Sequence, residues 1–397
     1  MAVSRSVISA MENSSWIRKM FETGAVLKSK YGEENVFDFS LGNPNIDPPA
    51  DFAKALAEYA KNVKPGMHAY MPNAGYQDVR QKIASWVSKT EGIEITADNI
   101  VMTCGAAGAM NIVLKTILNP GDNIIVITPY FAEYDAYISN HGGQIVRVAS
   151  KEDFDLVPEN IEKAINDKTQ GIIINSPNNP SGKVYTEETI KKLAAMLERK
   201  SKERGRAIYL LSDEPYKKII YDGIKTPSVI KAYKHSMILT SYSKDLSLPG
   251  ERIGWVAVNP GAEDIANLMG GIIMCNRILG FVNAPAIMQK MVAEFQGRSV
   301  DIDFYKKKRD RISEILGNIG YEFTKPEGAF YLFPKAPGGD DLKAVDALQN
   351  EKVLVVPGRG FGSPGYFRIA YCVSDKVIEG SASGFKKAFD ALTRLGK

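Results

Sequence analysis

The chain has 397 residues, of which 44% are hydrophobic and 24% charged, and these proportions are typical of a soluble globular protein. They exclude a disordered, collagen-like or disulfide-scaffold chain. The 50 basic and 46 acidic residues leave a formal charge of +4, so we expect no nucleic-acid partner. The densest basic run, residues 306–309, is predicted to be the solvated face of a helix.

Cysteine, histidine and hydropathy patterns favour a cytoplasmic protein. The three cysteines, Cys104, Cys275 and Cys372, are scattered and form no Cys-x-x-Cys pair, which is typical of reduced thiols. The three histidines are widely spaced, so no metal site is predicted. We find no signal peptide and no apolar run near the ~20 residues that a membrane span needs. No membrane partner is therefore expected.

From about residue 51 to residue 288, short apolar runs alternate with amphipathic stretches. Helices are predicted over residues 76–89, 107–117 and 186–200. Several of the short runs are unbroken and β-branched, a pattern typical of strands buried on both faces of a parallel sheet. We therefore predict the α/β class, with a mostly parallel sheet flanked by helices. Its strands are expected over residues 99–103, 123–128, 144–149, 171–175, 207–212, 237–241 and 253–258.

The pattern changes after about residue 290. A charged helix near residues 302–316 is followed by predicted strands over residues 321–324, 328–333, 353–356 and 366–371. We interpret this part as a smaller α+β domain, on which the N-terminal segment packs. The predicted division is residues 49–289 for the large domain, and residues 1–48 with 290–397 for the small domain.

Polar residues at predicted strand ends suggest a ligand site, because α/β proteins bind ligands at the carboxyl edge of the sheet. Lys244, with Ser241 before it and Arg252 after it, follows one apolar strand. Asp213 ends another strand, and an Asn- and Pro-rich turn at residues 175–182 follows a third. Residues 360–365 match G-x-G-x-x-G, but Pro364 and a second strand follow instead of a helix. We therefore interpret that segment as a turn, without a nucleotide site.

Taken in order, these motifs resemble those of the class I/II aminotransferases, which are pyridoxal-phosphate enzymes of fold type I. The resemblance spans residues 41 to 370. The matching motifs are Leu41-Gly42-Asn43-Pro44, Tyr70 with Gly75, Gly105-Ala106-Ala107, Pro120-Gly121-Asp122, Pro129-Tyr130-Phe131, Asn179-Pro180-Ser181-Gly182, Asp213-Glu214-Pro215-Tyr216, Ser241-x-x-Lys244, Arg252 and Phe367-Arg368-Ile369.

The resemblance assigns the catalytic roles to Lys244, Asp213 and Tyr216. Lys244 would attach pyridoxal phosphate through its amine and later act as the base, which requires a lowered pKa. Asp213 would keep the pyridine nitrogen protonated. Tyr216 and Asn179 would hydrogen-bond the phenolic oxygen of the cofactor, and Phe131 would stack on its ring.

The resemblance also assigns the phosphate and carboxylate sites. The phosphate would be bound by the helix start at Gly105, Ala106 and Ala107, by Ser241 and Arg252, and by Tyr70 of a neighbouring subunit. The active sites would then be shared within a homodimer. Arg368 would bind the substrate α-carboxylate through its guanidinium fork, assisted by the Gly42 backbone and Asn179.

The sequence leaves the substrate open. The Gly105–Ala107 loop is small and neutral, although some aspartate-specific relatives carry a lysine there, and Arg277 and Arg359 are possible partners for a distal carboxylate. We expect an aminotransferase with an aspartate or aromatic donor and 2-oxoglutarate as the acceptor; alanine or branched donors also remain open. The alternatives are a pyridoxal-phosphate C–S β-lyase on the same scaffold and a non-enzymatic ligand-sensing protein of this fold.

Overall fold

The computed structural model describes residues 2–12 and 16–394. Twelve strands lie in this part of the chain. In chain order they are β1 (Phe37–Asp38), β2 (Ile100–Thr103), β3 (Asn123–Thr128), β4 (Gln144–Ala149), β5 (Thr169–Asn175), β6 (Tyr209–Asp213), β7 (Ser236–Ser241), β8 (Gly254–Val258), β9 (Tyr331–Leu332), β10 (Val353–Leu354), β11 (Val356–Pro357) and β12 (Phe367–Ala370).

The same residues contain fourteen α-helices, which surround the strands. They are α1 (Arg5–Glu12), α2 (Trp16–Tyr31), α3 (Ala50–Lys61), α4 (Gln77–Glu91), α5 (Gly105–Ile117), α6 (Tyr134–Ser139), α7 (Pro158–Ala164), α8 (Glu187–Arg204), α9 (Val229–Ala232), α10 (Ile265–Ile278), α11 (Ala286–Glu294), α12 (Ile302–Ile319), α13 (Asp341–Asn350) and α14 (Asp375–Arg394). None of the described helices is long and apolar enough to cross a bilayer.

The central sheet has seven strands in the order β2-β8-β7-β6-β5-β3-β4. β8 is antiparallel to both of its neighbours, and the other neighbouring pairs are parallel. The predicted α/β class with a mostly parallel sheet is therefore confirmed. All seven predicted strands exist, and the bounds of β3 and β4 agree with the prediction.

Helices cover both faces of this sheet, which explains why its strands carry no polar face. Ile124 and Val126 of β3 pack in a cluster with α5 and α10. Ile125 and Ile127 of the same strand point to the other face and pack with α8. Successive side chains of a strand alternate between its faces, so an unbroken apolar run fills both clusters.

The remaining strands form two small sheets. β9, β12 and β11 make a three-stranded antiparallel sheet, and β1 pairs in parallel with β10. Their side chains share one hydrophobic cluster with residues of α12 and α14. The N-terminal strand β1 thus pairs with a strand more than 300 residues later, through Phe37 opposite Val353.

Two of the predicted strands in this part were wrong in extent. Residues 321–324 form no strand; the Tyr321 ring instead packs on Phe367, Phe385 and Phe389, with centroid distances of 4.9–6.0 Å. In the predicted strand 328–333, Tyr331–Leu332 forms a strand and Gly328 forms an isolated bridge with Ile220. Ala329 has a φ of 56°, a left-handed conformation that interrupts an extended strand.

The prediction of a solvated helix face at residues 306–309 holds for the exposed Lys307 and the half-buried Lys306, and it was wrong for Lys308 and Arg309. Arg309 is 0% exposed, and its guanidinium donates to Asp222 Oδ2 at 2.7 Å and to Pro326 O at 3.0 Å. Lys308 is buried as well, although its amine reaches Asp375 at 2.5 Å. The long aliphatic stems of both residues allow them to pack inward while their charges find partners.

Candidate active site

A cavity of about 320 Å³ lies at the carboxyl ends of the parallel strands, where residues from both halves of the chain meet. It gathers eleven of the thirteen predicted site residues, which are therefore neighbours in space. These are Gly42, Ala106, Ala107, Phe131, Asn179, Asp213, Tyr216, Ser241, Lys244, Arg252 and Arg368.

Asp213 is the last residue of β6 and is buried at the base of this cavity. Its Oδ2 accepts a hydrogen bond from the Tyr134 hydroxyl, whereas its Oδ1 has no partner in the described part of the chain. Burial raises the pKa of Asp213 to about 7; the Tyr134 hydrogen bond opposes this shift, and Glu214 adds to it. A buried carboxylate oxygen without a donor is costly, so this atom is suited to an N–H group of a ligand.

Lys244 lies three residues beyond the end of β7, in the turns that connect β7 to β8. Its Nζ donates to Gly42 O at 2.7 Å and lies 5.5 Å from the centroid of the Phe330 ring. Burial lowers the pKa of Lys244 to about 8; Cys372 opposes this shift, and Arg368 and Arg252 reinforce it. An amine with such a pKa is partly neutral near physiological pH and can act as a nucleophile or base.

Arg368 in β12 is fully enclosed by the protein and contributes the guanidinium of the cavity. Its two terminal nitrogens donate to Asn179 Oδ1 at 3.0 Å and to Ser40 O at 2.6 Å. The guanidinium stacks 4.8 Å from the ring centroids of Tyr331 and Phe361, while its Nε has no partner among the described residues. No carboxylate neutralises this buried cation in the described structure, so the side chain is suited to an anionic ligand.

A network of polar side chains fixes the residues around Asp213 and Arg368. The Asn175 amide donates to Asp213 O at 2.8 Å, and its Oδ1 accepts from the Asn179 backbone at 2.7 Å. The Tyr216 and Tyr331 hydroxyls lie 2.7 Å apart. Asn175, at the end of β5, thus connects the turn bearing Asn179 to β6.

The N-terminus of α5 forms one wall of the cavity. Gly105 begins this helix with a φ of 75°, and a Cβ atom there would come within 2.9 Å of Arg252 Nη2. Glycine therefore lets the guanidinium approach the first turn of the helix. The unpaired N–H groups of that turn, Ser241 and Arg252 together form a cradle suited to a phosphate.

Two predicted residues do not line the cavity. Gly105 lies just behind it, through the contact with Arg252. Tyr70 is 91% exposed on the surface and contributes nothing to the site of its own chain. Of the two arginines with open roles, Arg359 is bound to Asp341 at 2.8 Å outside the cavity, and Arg277 is exposed near the end of α10.

Sequence reasoning missed several aromatic and polar residues of the cavity. Tyr134, Tyr137 and Tyr331 line it, as does the half-buried carboxylate Glu133. Burial and the Glu133 charge raise the pKa of Tyr137 to about 12. Glu133 and Tyr134 lie two and three residues after the Pro129-Tyr130-Phe131 motif, and this closeness was the available signal. No pattern around Tyr331 distinguishes it from a core aromatic.

Comparison with known proteins gives a consistent assignment. The family model described as aminotransferase class I and II matches residues 34–383. A probable aspartate/prephenate aminotransferase of Aquifex aeolicus is 32% identical, covering 90% of this chain and 92% of the relative. An aspartate aminotransferase of Bacillus subtilis is 30% identical over 92% of this chain and 94% of its own length. A crystal structure of an aminotransferase from Eubacterium rectale has a TM-score of 0.95 at 42% identity, covering 98% of this chain and 99% of that one.

The chain therefore belongs to the class I and II aminotransferases, and the predicted resemblance is confirmed. It is an enzyme of this class, which exchanges an amino group between an amino acid and a 2-oxo acid, and the class uses pyridoxal phosphate. The cavity residues fit that cofactor: Asp213 Oδ1 has no donor in the described part of the chain, Lys244 supplies an amine of low pKa, and the α5 cradle suits a phosphate. The described residues contain no cluster of His, Cys, Asp and Glu suited to a metal ion.

Proposed function

We propose that this aminotransferase uses aspartate or an aromatic amino acid as its donor and 2-oxoglutarate as its acceptor, with pyridoxal phosphate bound at Lys244. The observation that carries the site assignment is the meeting of three groups in one cavity. They are Asp213 Oδ1, the Lys244 amine of lowered pKa, and Arg368 Nε, and neither Asp213 Oδ1 nor Arg368 Nε has a partner among the residues that the structure describes.

Pyridoxal phosphate, when bound, supplies the electron sink that stabilises negative charge at the substrate Cα. Asp213 would accept the N–H of the pyridine ring, and the α5 N-terminus with Ser241 and Arg252 would bind the phosphate. Tyr216 and Asn179, which line the cavity, would donate to the phenolic oxygen, and Phe131 of the same lining would stack on the ring. The Lys244 amine would move a proton between the substrate Cα and C4′ of the cofactor, which is a role for a base with a pKa near 8.

Arg368 orients the substrate by binding its α-carboxylate. The guanidinium presents a planar pair of donors, and Asn179 and the Ser40 carbonyl already hold it in position. Gly42, whose carbonyl accepts from Lys244, places its backbone beside the same space. A tyrosine hydroxyl fills the position that a Cβ of residue 42 would occupy, since the Tyr331 oxygen is 2.1 Å from that point.

The donor assignment rests on the relatives and on the lining of the cavity. Two relatives are named as aspartate or aspartate/prephenate aminotransferases. Phe131, Tyr134, Tyr137 and Met110 form an aromatic and apolar wall, which supports an aromatic side chain. Because Arg359 is bound to Asp341, a distal carboxylate would need another cation, and the exposed Arg277 of a second subunit is our candidate.

We further propose a cytoplasmic homodimer in which Tyr70 of each subunit completes the phosphate site of the other. The exposure of Tyr70 supports this, and the three free cysteines support a reducing location.

We also propose a division into a large domain (residues 49–289) and a small domain (residues 1–48 with 290–397). Residues 1, 13–15 and 395–397 of the small domain lie outside the described part of the chain. The hydrophobic clusters support this division only in part. The cluster of the small domain also includes Phe154, Tyr216, Ile219 and Tyr221 of the large domain, and α11 packs with α4 beyond residue 289.

The test is a visible absorption spectrum of the purified protein with added amino acids. We expect aspartate, tyrosine or phenylalanine to remove the absorbance band of the bound cofactor, and 2-oxoglutarate to restore it. Lys244→Ala is the control, which should fold but show neither the band nor turnover. Release of pyruvate and ammonia without an oxo-acid acceptor would replace the proposal with the lyase alternative. A protein that binds no pyridoxal phosphate would contradict it altogether.

A further inference from the structure

Tyr331 contacts both of the binding regions of the active-site cavity, although none of the sequence motifs assigns it a role. It lies in β9 beside β12, the strand that carries Arg368, and it is 2% exposed. Its ring stacks 4.8 Å from the guanidinium of Arg368, the proposed ligand of the substrate carboxylate. Its hydroxyl lies 2.7 Å from the hydroxyl of Tyr216, a proposed ligand of the cofactor.

The position of the Tyr331 hydroxyl is fixed by the surrounding groups. The rings of Tyr331 and Tyr216 meet edge to face, with centroids 5.6 Å apart at an angle of 81°, and the Phe330 ring lies 5.1 Å away. The backbone of Gly42 approaches the hydroxyl so closely that a Cβ atom at residue 42 would overlap it. Close packing of this kind keeps the Tyr331 oxygen beside Tyr216.

The two hydroxyls carry two protons but share one hydrogen bond. Burial raises the pKa of Tyr331 to about 12 and the pKa of Tyr216 well above its ordinary value, so both hydroxyls stay protonated near neutral pH. Among the described residues, each hydroxyl has the other as its one hydrogen-bond partner. One of the two protons therefore has no acceptor until a ligand supplies one.

The contact between Tyr216 and the cofactor sets the direction of this hydrogen bond. If Tyr216 donates its proton to the phenolic oxygen, its own oxygen is free to accept, and Tyr331 is the donor within reach. A hydroxyl that accepts a hydrogen bond is polarised and becomes a better donor itself. Tyr331 would then strengthen the contact with the cofactor through Tyr216.

We propose that Tyr331 is a positioning residue for amino transfer: its hydroxyl donates to the Tyr216 oxygen, directs the Tyr216 proton to the phenolic oxygen of pyridoxal phosphate and strengthens that contact. This inference rests on the proposed contact between Tyr216 and the cofactor. Replacing either tyrosine by phenylalanine leaves the other titratable groups that face the pair unchanged. These groups are Arg368, Asp213, Cys372, Lys244 and Tyr305.

The experiment is a spectrophotometric pH titration of the holoenzyme and its variants. The bound cofactor changes its absorbance when it loses a proton, and a hydrogen bond to the phenolic oxygen favours the more negative, deprotonated form. Tyr216→Phe should therefore raise the midpoint of the titration by about one pH unit or more. Tyr331→Phe keeps the ring against Arg368 but removes the hydroxyl, and it should raise the midpoint by about 0.3 unit or more.

A control and a double variant separate this role from a structural one. Tyr371→Phe is the matched control, because Tyr371 is buried outside the cavity lining and its hydroxyl lies 3.3 Å from that of Tyr221. The Ala329 carbonyl, which Tyr371 also contacts, keeps its hydrogen bond from Tyr221, so this variant should titrate like the wild type. In the Tyr216→Phe background, Tyr331→Phe should move the midpoint by less than about 0.1 unit, because the hydroxyl that transmits its effect is gone.

Three results would overturn the proposal. The first is a wild-type midpoint in Tyr331→Phe while Tyr216→Phe raises the midpoint, since Tyr331 would then have no effect on the contact. The second is an equal shift by Tyr331→Phe with and without the Tyr216 hydroxyl, since Tyr331 would then act independently of Tyr216. The third is a wild-type midpoint in Tyr216→Phe itself, which would show that the Tyr216 contact of the proposed function is absent, and the role of Tyr331 with it.

Discussion

Arg368 is positioned by its neighbours so that its unsatisfied side is available to a ligand. Two of its nitrogens are engaged by Asn179 and Ser40, and the guanidinium is fixed between the rings of Tyr331 and Phe361. Little rotamer freedom then remains to be lost when a carboxylate binds. The same enclosure lowers the pKa of Arg368, because burial disfavours its charge until an anion arrives.

The first prediction concerns the Arg368→Lys variant. Lysine keeps the positive charge but loses the planar fork, so the carboxylate should bind less tightly and in a poorer orientation. We expect kcat/KM to fall roughly 10- to 100-fold, corresponding to about 1.5–3 kcal/mol for a hydrogen bond to a charged group, with most of the change in KM. Steady-state kinetics with donor and acceptor varied in turn measure this.

Arg359→Lys serves as the matched control for that variant. Arg359 forms its ion pair with Asp341 outside the cavity, so its replacement should leave both kinetic constants within about twofold of the wild type. Thermal unfolding of both variants checks that the fold is kept. If the Arg368→Lys variant had wild-type kinetics, Arg368 would not be the residue that binds the carboxylate.

The second prediction is the protonation midpoint of Lys244 in the apoprotein. Its pKa is lowered to about 8, so the amine loses its proton as the pH rises through 8 and is reactive above it. Competitive labelling with acetic anhydride, read by mass spectrometry of the Lys244 peptide, should show half-maximal reactivity near pH 8. In urea the midpoint should return to the ordinary lysine value of about 10.4. A midpoint above 10 in the folded protein would show that burial does not activate this amine.

At this scale the sequence could predict charged residues and glycines, but not most aromatics. Lys244, Asp213 and Arg368 stand out because charged residues beside apolar strands are commonly functional. All three line the cavity. Tyr331 looks like any apolar strand residue, and its role depends on β9 lying beside β12. Such long-range pairings are not visible in a local pattern.

The third prediction belongs to helix α5 and its first residue. Gly105→Ala places a methyl group 2.9 Å from Arg252 Nη2 at a φ of 75°, where a side chain is also strained. Arg252 should be pushed away from the first turn of the helix, and pyridoxal phosphate should bind about tenfold more weakly. Equilibrium dialysis of the apoprotein with the cofactor measures this.

Gly108→Ala in the same helix is the control for that change. A Cβ at Gly108 meets the Cys104 Cβ at 3.4 Å, an ordinary contact, and Gly108 carries no positive φ. Alanine there should keep the cofactor affinity and raise helix stability slightly. If both variants bound pyridoxal phosphate with the wild-type affinity, Gly105 would have no role in phosphate binding.

At the scale of elements, the sequence predicted the central sheet better than the small ones. The apolar run at residues 123–128 forms a strand that is buried on both faces. The ends of the strand therefore coincide with the ends of the run and can be predicted from the local sequence. The stretch 321–324 has a similar composition, yet its tyrosine packs against α14 and its backbone forms no continuing ladder among the described residues. Tertiary packing decided that case, as it commonly does for short strands.

Several aromatic and apolar side chains are exposed on the surface of the chain. Tyr70 is 91% exposed, and Met274 and Ile278 of α10 are exposed at 53% and 51%. The segment around Tyr70 is tied to α10 and the loop after it through Asn73, whose carbonyl accepts from Asn276 and whose amide donates to Val282 O. These apolar and aromatic groups therefore lie on connected segments, as a subunit interface would require.

The fourth prediction tests the shared site by complementation. Tyr70→Ala should weaken the phosphate contact in both sites of a homodimer, with about a tenfold loss of cofactor affinity. Lys244→Ala should be inactive in both sites. A mixed dimer of the two variants contains one site with an intact Lys244 and an intact Tyr70, because each comes from a different subunit.

Co-expression with different affinity tags allows these mixed dimers to be isolated and assayed. We expect each intact site to regain the wild-type cofactor affinity and turnover, so activity per Tyr70→Ala subunit rises when Lys244→Ala subunits are in excess. If Tyr70 instead served its own subunit, every Lys244-bearing site in the mixture would still lack it, and the activity per subunit would not change. The direction of that change therefore decides between a shared site and a self-contained one, independently of which amino acid is the donor.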